Sequence, residues 1–398
     1  MYFKKKTTLF LMILLVFTLL FSTSLFADNN KQKEVENSLK IEQDIQAVQN
    51  LQIIKEKIKG SKDEKRYAGA YIDEDGYLNV NFVSEVESIK EKAKLKNTKY
   101  HSVEFALEHL EELMEAVIND ESIIKDISMV ELSQKDNSIN IYLKELEDSK
   151  AQKIKKTLDT PAIKFKKQEL EFVTTTTVEI INQNVASFSS TNPLAGPTIG
   201  VGAVRNSDNK RVFITAGHIT NAIGSNVYYN GALAGTLKAK AFGGVVDGSL
   251  VEPKNTIFTT YWPTKKFRDY GDTYHSAVYD SNQIIQGMSV RAYGAVSGYQ
   301  TGTILSTSVA AWVDANGQQV LMTDQVRSNY KAINGDSGAA VVYFRQIQVF
   351  PEVKVWSVMS LQSSATLDQN GNWIPGVSTS LSSKIHHIFN ALDVRDII

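Results

Sequence analysis

Three side-chain types that together perform acyl transfer, a hydroxyl, an imidazole and a carboxylate, occur in this sequence in settings that single each of them out. Asn334-Gly335-Asp336-Ser337-Gly338 runs directly into the apolar stretch 339–344. A serine held between glycines at the entry to a β-rich run has the surroundings of a nucleophile. With no side chain on Gly335, the backbone can turn its N–H and that of Ser337 toward one point, forming an oxyanion hole where charge develops on an attacked carbonyl. A serine hydroxyl is weak alone, so a base and an orienting acid are also required. Arg211-Val212-Phe213-Ile214-Thr215-Ala216-Gly217-His218 reads as a β-branched strand ending in small residues, with a histidine at the following turn. Asp247 is the single acid within the otherwise apolar stretch 242–251. A lone carboxylate there is costly unless hydrogen-bonded, and an imidazole N–H is a natural partner. His218, Asp247 and Ser337 are therefore the expected catalytic residues, with Gly335 and Ser337 supplying the oxyanion donors.

Other candidates fit less well. Of the six histidines, His275 follows a polar stretch with no strand leading in, and His386 and His387 fall on a helical pattern as surface or packing residues. Asp269, Asp272, Asp280, Asp314 and Asp324 also lie between His218 and Ser337, mostly in turn-like, polar surroundings. Asp336, adjacent to the nucleophile, cannot reach the far side of the imidazole. Its expected task is to anchor the loop through a buried partner.

Thr215-Ala216-Gly217-His218 together with Gly335-Asp336-Ser337-Gly338, with an acid between them, resembles the chymotrypsin-like serine peptidases. The order His, Asp, Ser is that of chymotrypsin rather than of subtilisin or the α/β-hydrolases. The spacing is most similar to the bacterial secreted branch of α-lytic protease and the streptogrisins. That resemblance implies two six-stranded antiparallel β-barrels with a C-terminal helix, polypeptide substrates, and neither cofactor nor metal. It implies a substrate pocket lined by Lys331, Ala332 and Ile333 and by Leu361 and Gln362, and support of the triad acid by the Ser360 hydroxyl. An internal arginine holds the Asp336 equivalent in this branch. Its aligned position is Ala292 within the glycine-punctuated stretch 288–304, which leaves Arg291 and Arg327 as candidates.

The rest of the chain is organised around that module. A length of 398 residues exceeds one ordinary domain, and a formal net charge of −1 gives no reason to expect nucleic-acid or membrane-surface binding. Lys4-Lys5-Lys6, an apolar core over 9–21 and the small residues after it read as a signal peptide, 1–27. There are no cysteines, which excludes disulfides and a thiol nucleophile. The related peptidases carry a disulfide beside the active histidine, where this chain has Ile219.

Residues 28–179 are Lys/Glu-rich. Apolar residues at helical spacing over 38–59 predict a helix, and 67–82 predicts a hairpin turned at Asp73-Glu74-Asp75-Gly76. A second helix is predicted over 102–118. The pattern then returns as a hairpin over 129–143, a helix over 149–158 and a strand at 162–165. This α+β stretch resembles the pro-region of the α-lytic group, which implies a folding aid and inhibitor that is later removed. Beyond residue 180 only Glu252 and Glu352 remain of the glutamates, while short strands and Gly/Asn/Asp turns predict an all-β module over 180–398, closed by a helix over 382–392. The combined expectation is a secreted, extracellular serine endopeptidase made as a pro-enzyme, monomeric after maturation and without stable membrane association. The alternative is a catalytically inactive secreted binding or adhesion module on the same fold.

Overall fold

The computed structural model describes residues 39–84, 87, 89, 91, 94–146, 149–174, 185–188, 198, 200–219, 222–229, 232–254, 274–277, 283–315, 317–347 and 353–397. The predicted signal peptide lies outside these residues. Among them, no helix is long and apolar enough to cross a membrane. Residues 44–398 form one compact unit.

The periodicity over 38–59 produces helix α1 (39–58), on which Ile45, Val48, Leu51, Ile54 and Ile58 are buried. Strands β1 (Tyr67–Ile72) and β2 (Leu78–Val83) form the expected hairpin, with Gly76 in the left-handed region at φ 82°. Strand β3 (Thr98–Val103) adds in parallel to β2 and has no apolar alternation from which it could be read, since its residues are only half-buried or exposed. It takes the first residues of the helix predicted from 102, so α2 is confined to Leu107–Asn119 and buries Leu110, Met114 and Val117. The second unit follows its pattern: β4 (Met129–Ser133), β5 (Ser138–Leu143), α3 (Ser149–Thr157) and β6 (Ile163–Lys167), the last parallel to β5. A short strand, β7 (Phe172–Thr174), comes next.

The remaining strands are β8 (Val185–Phe188), β9 (Val201–Arg205), β10 (Arg211–Thr215), β11 (Asn226–Tyr229), β12 (Ala232–Gly243), β13 (Val246–Pro253) and β14 (Tyr274–Ala277). They are followed by β15 (Ser289–Gly294), β16 (Gly298–Ala315), β17 (Gln318–Ser328), β18 (Ala340–Ile347), β19 (Val353–Thr366) and β20 (Ser380–Lys384). Helix α4 (Ile385–Ala391) and strand β21 (Val394–Ile397) end the described chain. One sheet runs β21-β9-β10-β13-β12-β11-β8, antiparallel except at β8. In the other, β15-β18-β19-β20-β17-β16 returns to β15, so six antiparallel strands close on themselves as a barrel. The helix predicted from 382 starts at 385, because Ser380-Leu381-Ser382-Ser383 is a poor helix former and pairs with β17 and β19 instead.

The N-terminal module is built into this barrel. Strand β4 pairs with β16 through Glu131↔Val309, Val130↔Ala310 and Met129↔Ala311, so one sheet continues through both. Strand β7 runs antiparallel along β19, with Phe172↔Thr366, Val173↔Ala365 and Thr174↔Ser364. A single apolar cluster unites Leu51, Ile54, Ile72 and Val80 with Val290, Val341, Tyr343 and Met359. Each such side chain taken fully out of water contributes roughly 1.5–3 kcal/mol, so this junction is a core and not a surface contact.

Candidate active site

Strand β10 pairs with β13 up to Thr215↔Ser249, which sets the turn after β10 beside the start of β13. The His218 ring thereby meets Asp247: Nδ1 lies 2.6 Å from Oδ2. On its other side Nε2 lies 2.8 Å from the Ser337 Oγ. Three residues separated by long stretches of chain are thus joined by two hydrogen bonds. The other Asp247 oxygen, Oδ1, accepts the N–H groups of Gly217 at 2.6 Å and His218 at 3.0 Å. Burial would raise the Asp247 carboxyl, but the imidazole, the Ser363 hydroxyl and the backbone N–H together hold it below its ordinary value. Gly217 is required sterically, since a Cβ there would stand 2.2 Å from the Ala241 carbonyl oxygen. Phe242 covers one side of the imidazole, ring to ring at 5.5 Å.

The loop carrying Ser337 is held by short polar contacts. Thr198 donates its N–H to the Ser337 carbonyl at 2.8 Å and its hydroxyl to the Gly335 carbonyl at 3.0 Å. Gly335 and Gly338 both have left-handed backbones, φ 100° and 85°, the conformation for which glycine is suited. Asp336 is buried, and its anchor differs from the arginine expected. Oδ1 accepts the N–H groups of Val296 and Ser297, each at 3.0 Å, and Oδ2 that of Ile333 at 2.9 Å. Burial, opposed by these amides, leaves the Asp336 carboxyl above its ordinary value. Arg327 is engaged elsewhere, 2.6 Å from Glu131, and the Arg291 guanidinium lies 5.4 Å from the Tyr299 ring centre. The aspartate fits among the amides because Gly294 has no side chain: a Cβ there would lie 2.1 Å from Oδ1. Gly294→Ala is therefore expected to displace Asp336 and distort Gly335 and Ser337, lowering turnover by at least about 100-fold, the effect of losing one oxyanion donor. Wild-type turnover in a purified, folded variant would count against it.

The expected support from Ser360 is corrected. Its hydroxyl donates to Ser382 Oγ at 2.8 Å, whereas Ser363 donates to Asp247 Oδ2 at 2.6 Å. Strand β19 is irregular against β18 between the partners of Val341 and Val342, and against β20 between Gln362 and Ser364. Such bulges shift which residues face the site, and alignment by spacing does not register them. Among the clustered serines 360, 363 and 364, nothing in the sequence marks the one that meets Asp247. Ser363→Ala is expected to lower kcat by about 10-fold or more, a hydrogen bond to a charged group being worth about 1.5–3 kcal/mol. Ser360→Ala, measured alongside, should change kcat far less, and equal losses would reject the assignment.

The other expected pocket residues differ in burial, and the Gln362 backbone is bonded to the nucleophile loop, its carbonyl accepting the Gly338 N–H at 2.8 Å. Lys331 is exposed, Ala332 is buried and Ile333 is partly buried against the core. Leu361 is fully buried, with its Cδ2 directed at the backbone of Gly200. Gln362 is also fully buried, accepting the Tyr330 hydroxyl. The same bulges that bring Ser363 to Asp247 put Ser364 and Ala365, not Leu361 and Gln362, on the stretch that β7 lines.

Residues 106–168 match the Pro-like C-terminal domain family. No curated protein sequence matches the chain. Among solved structures, similarity is found to a Nocardiopsis protease, with 16% identity over 50% of this chain and 90% of that one and a TM-score of 0.36. Protease A of Thermobifida fusca gives 19%, 50%, 91% and 0.36, and Cellulomonas bogoriensis chymotrypsin 18%, 50%, 94% and 0.35. With a closed six-stranded barrel beside a second β-sheet, and histidine, aspartate and serine brought together in that chain order, the C-terminal part of this protein has the chymotrypsin-like serine peptidase fold.

Proposed function

We propose that the chain is the precursor of a secreted, extracellular serine endopeptidase. The observation that carries this reading is the continuous hydrogen-bonded path from Ser337 Oγ through the His218 ring to the buried Asp247 carboxylate. Ser337 attacks the carbonyl carbon of a polypeptide while His218 takes its proton. Asp247 orients the ring and stabilises the imidazolium, and the N–H groups of Gly335 and Ser337 hold the oxyanion. Collapse of the tetrahedral intermediate expels the amine, protonated by His218. Water then hydrolyses the acyl-enzyme by the same steps in reverse.

The region before residue 180 acts as pro-region, both folding aid and inhibitor. Two features support this: Ser337 is completely shielded from solvent in the full chain, and β7 lies as a strand along β19 next to Ser363. A peptide aligned for cleavage would use the same strand. After its removal the peptidase is monomeric. The test is fluorophosphonate labelling: the processed protein forms an adduct on Ser337 and the intact precursor does so far more slowly. A correctly processed protein that takes no label excludes the mechanism. N-terminal sequencing supplies a further check. The chain is tied into β16 and β19 up to Thr174, so the mature N-terminus is expected beyond that residue. A mature N-terminus before Phe172 would contradict the inhibitory role given to β7.

A further inference from the structure

A cavity of about 520 Å³ opens where the N-terminal module meets the barrel, and no catalytic residue lines it. Its apolar walls come from three parts of the chain. Ile127 and Leu143 belong to the N-terminal module, Leu170 and Phe172 to the stretch that leads into and starts β7, and Trp312 to β16 of the barrel. Ile127, Leu143 and Phe172 are buried. Trp312 is fixed at two points: its indole N–H donates to the Ile124 carbonyl at 2.9 Å, and its backbone N–H to the Ser128 carbonyl at 3.3 Å. The one polar atom of its side chain is thereby occupied, so a guest meets only ring surface. A volume of this size holds a small organic molecule.

The charges lining the cavity are paired except for one. Lys150 lies 2.9 Å from Asp126, Lys144 pairs with Glu171, and Glu145 lies 3.2 Å from Lys167. Lys125 also lines the cavity, is exposed, and has no partner among the described residues. An apolar interior with one uncompensated cation at its rim matches an apolar body that carries a single negative charge. We propose that this cavity binds an apolar carboxylate, with its body against Leu143, Phe172 and Trp312 and its charge on Lys125. A short peptide ending in a bulky apolar residue has this chemistry, and so does a fatty acid. Occupancy also bears on β7. The guest touches Phe172 on one wall and the barrel's Trp312 on another, so it must lose a wall before the stretch 168–172 can lift away. Binding therefore opposes withdrawal of β7 from β19 by mass action.

The test uses the Ser337→Ala precursor, so its outcome does not depend on the peptidase reading. Calorimetric titrations are run with acetyl-Ala-Phe and with octanoate, each beside its own primary amide. At least one acid should bind with a Kd below about 1 mM, the scale for ligands of this size. Its amide should bind about 2- to 5-fold more weakly, as befits one exposed ion pair. Lys125→Glu, a change at an exposed position, should weaken the acid by about 10-fold and leave the amide within about 2-fold. Trp312→Ala should weaken acid and amide alike, by about 10-fold or more. If that variant does not fold, Lys125→Glu still decides. At ten times Kd, amide exchange across 168–174 should slow by about 10-fold. Binding of the peptide alone assigns the site to a peptide C-terminus, binding of octanoate alone to a fatty acid, and binding of both to the shared chemistry; each sustains the proposal. It is overturned if neither acid binds, if the amide binds as tightly as its acid, or if Lys125→Glu leaves the acid's affinity unchanged. Binding with unaltered exchange over 168–174 would refute the hold on β7.

Discussion

Alanine in place of Ser337 or His218 is expected to reduce kcat of the processed protein by about a million-fold while leaving KM within a few-fold of wild type. The two residues act on one proton: His218 Nε2 is 2.8 Å from Ser337 Oγ, so removing either ends the same transfer. Their losses should not add, and the double variant should be about as slow as either single one. Asp247→Asn should cost about 10⁴-fold. It will do so with a second symptom. Four donors converge on that carboxylate: the His218 ring, the Ser363 hydroxyl, and the N–H groups of Gly217 and His218. An amide turned toward them sets its own N–H₂ against at least one donor, so thermal stability should fall along with turnover. Steady-state kinetics and melting curves on the three variants check this, and a Ser337→Ala protein that still cleaves peptides at a tenth of the wild-type rate would end the assignment.

The pH dependence has a defined sign. The folded-state value of Asp247 is lowered, by the imidazole above all against the opposing effect of burial. Its stabilising contribution is then complete above the ordinary carboxylate value of 3.8 and is lost as pH falls through the lower folded one. Asp336 has the opposite sign. Its folded value is raised by burial, so the stability it contributes is present when it is protonated, below 3.8, and declines as pH rises through the folded value. Unfolding of Ser337→Ala precursor between pH 3 and 6, compared with the same protein carrying Asp336→Asn, should show a steeper gain with pH once Asp336 is removed. An unchanged slope would mean that Asp336 does not titrate differently in the two states.

The second large effect is expected at the junction between β4 and the barrel. Glu131 is 2% exposed, and its Oε1 lies 2.6 Å from Arg327 Nη2. That pair is a close charge contact and not an aligned hydrogen bond. The other oxygen, Oε2, accepts the Tyr142 hydroxyl at 2.7 Å and the Asn140 amide at 3.4 Å. Removing one member of a buried ion pair strands the other, at a cost of about 3–5 kcal/mol. Glu131→Ala in a Ser337→Ala background, which cannot cut itself, should lower the precursor's unfolding free energy by about that amount in urea titrations. Replacing both partners with apolar residues of similar volume should restore most of the loss, because no unpaired charge then remains. A cost below about 1 kcal/mol for Glu131→Ala would show the pair to be effectively solvated, as surface pairs are.

What could be read directly from the sequence are features that depend on near neighbours. Glycines around Ser337 follow from the local backbone: Gly335 and Gly338 take φ 100° and 85°, the left-handed region for which glycine is suited. The single acid in 242–251 is marked by the cost of burying it alone. Helix α1, the hairpins β1–β2 and β4–β5, and the β-rich character beyond residue 180 follow from periodicity and turn residues in the same way. The tertiary structure decided matters that depend on register. Bulges in β19 present Ser363 to Asp247 and turn Ser360 toward Ser382. Backbone amides of Val296 and Ser297, a kind of partner that no side-chain type marks in the sequence, take the place foreseen for an arginine. Only folding brings Glu131 to Arg327, and β7 to β19, because these contacts join segments distant along the chain. Composition and spacing reveal which residues could do chemistry, but the partner of each buried polar atom is settled by how strands slide, bulge and pair.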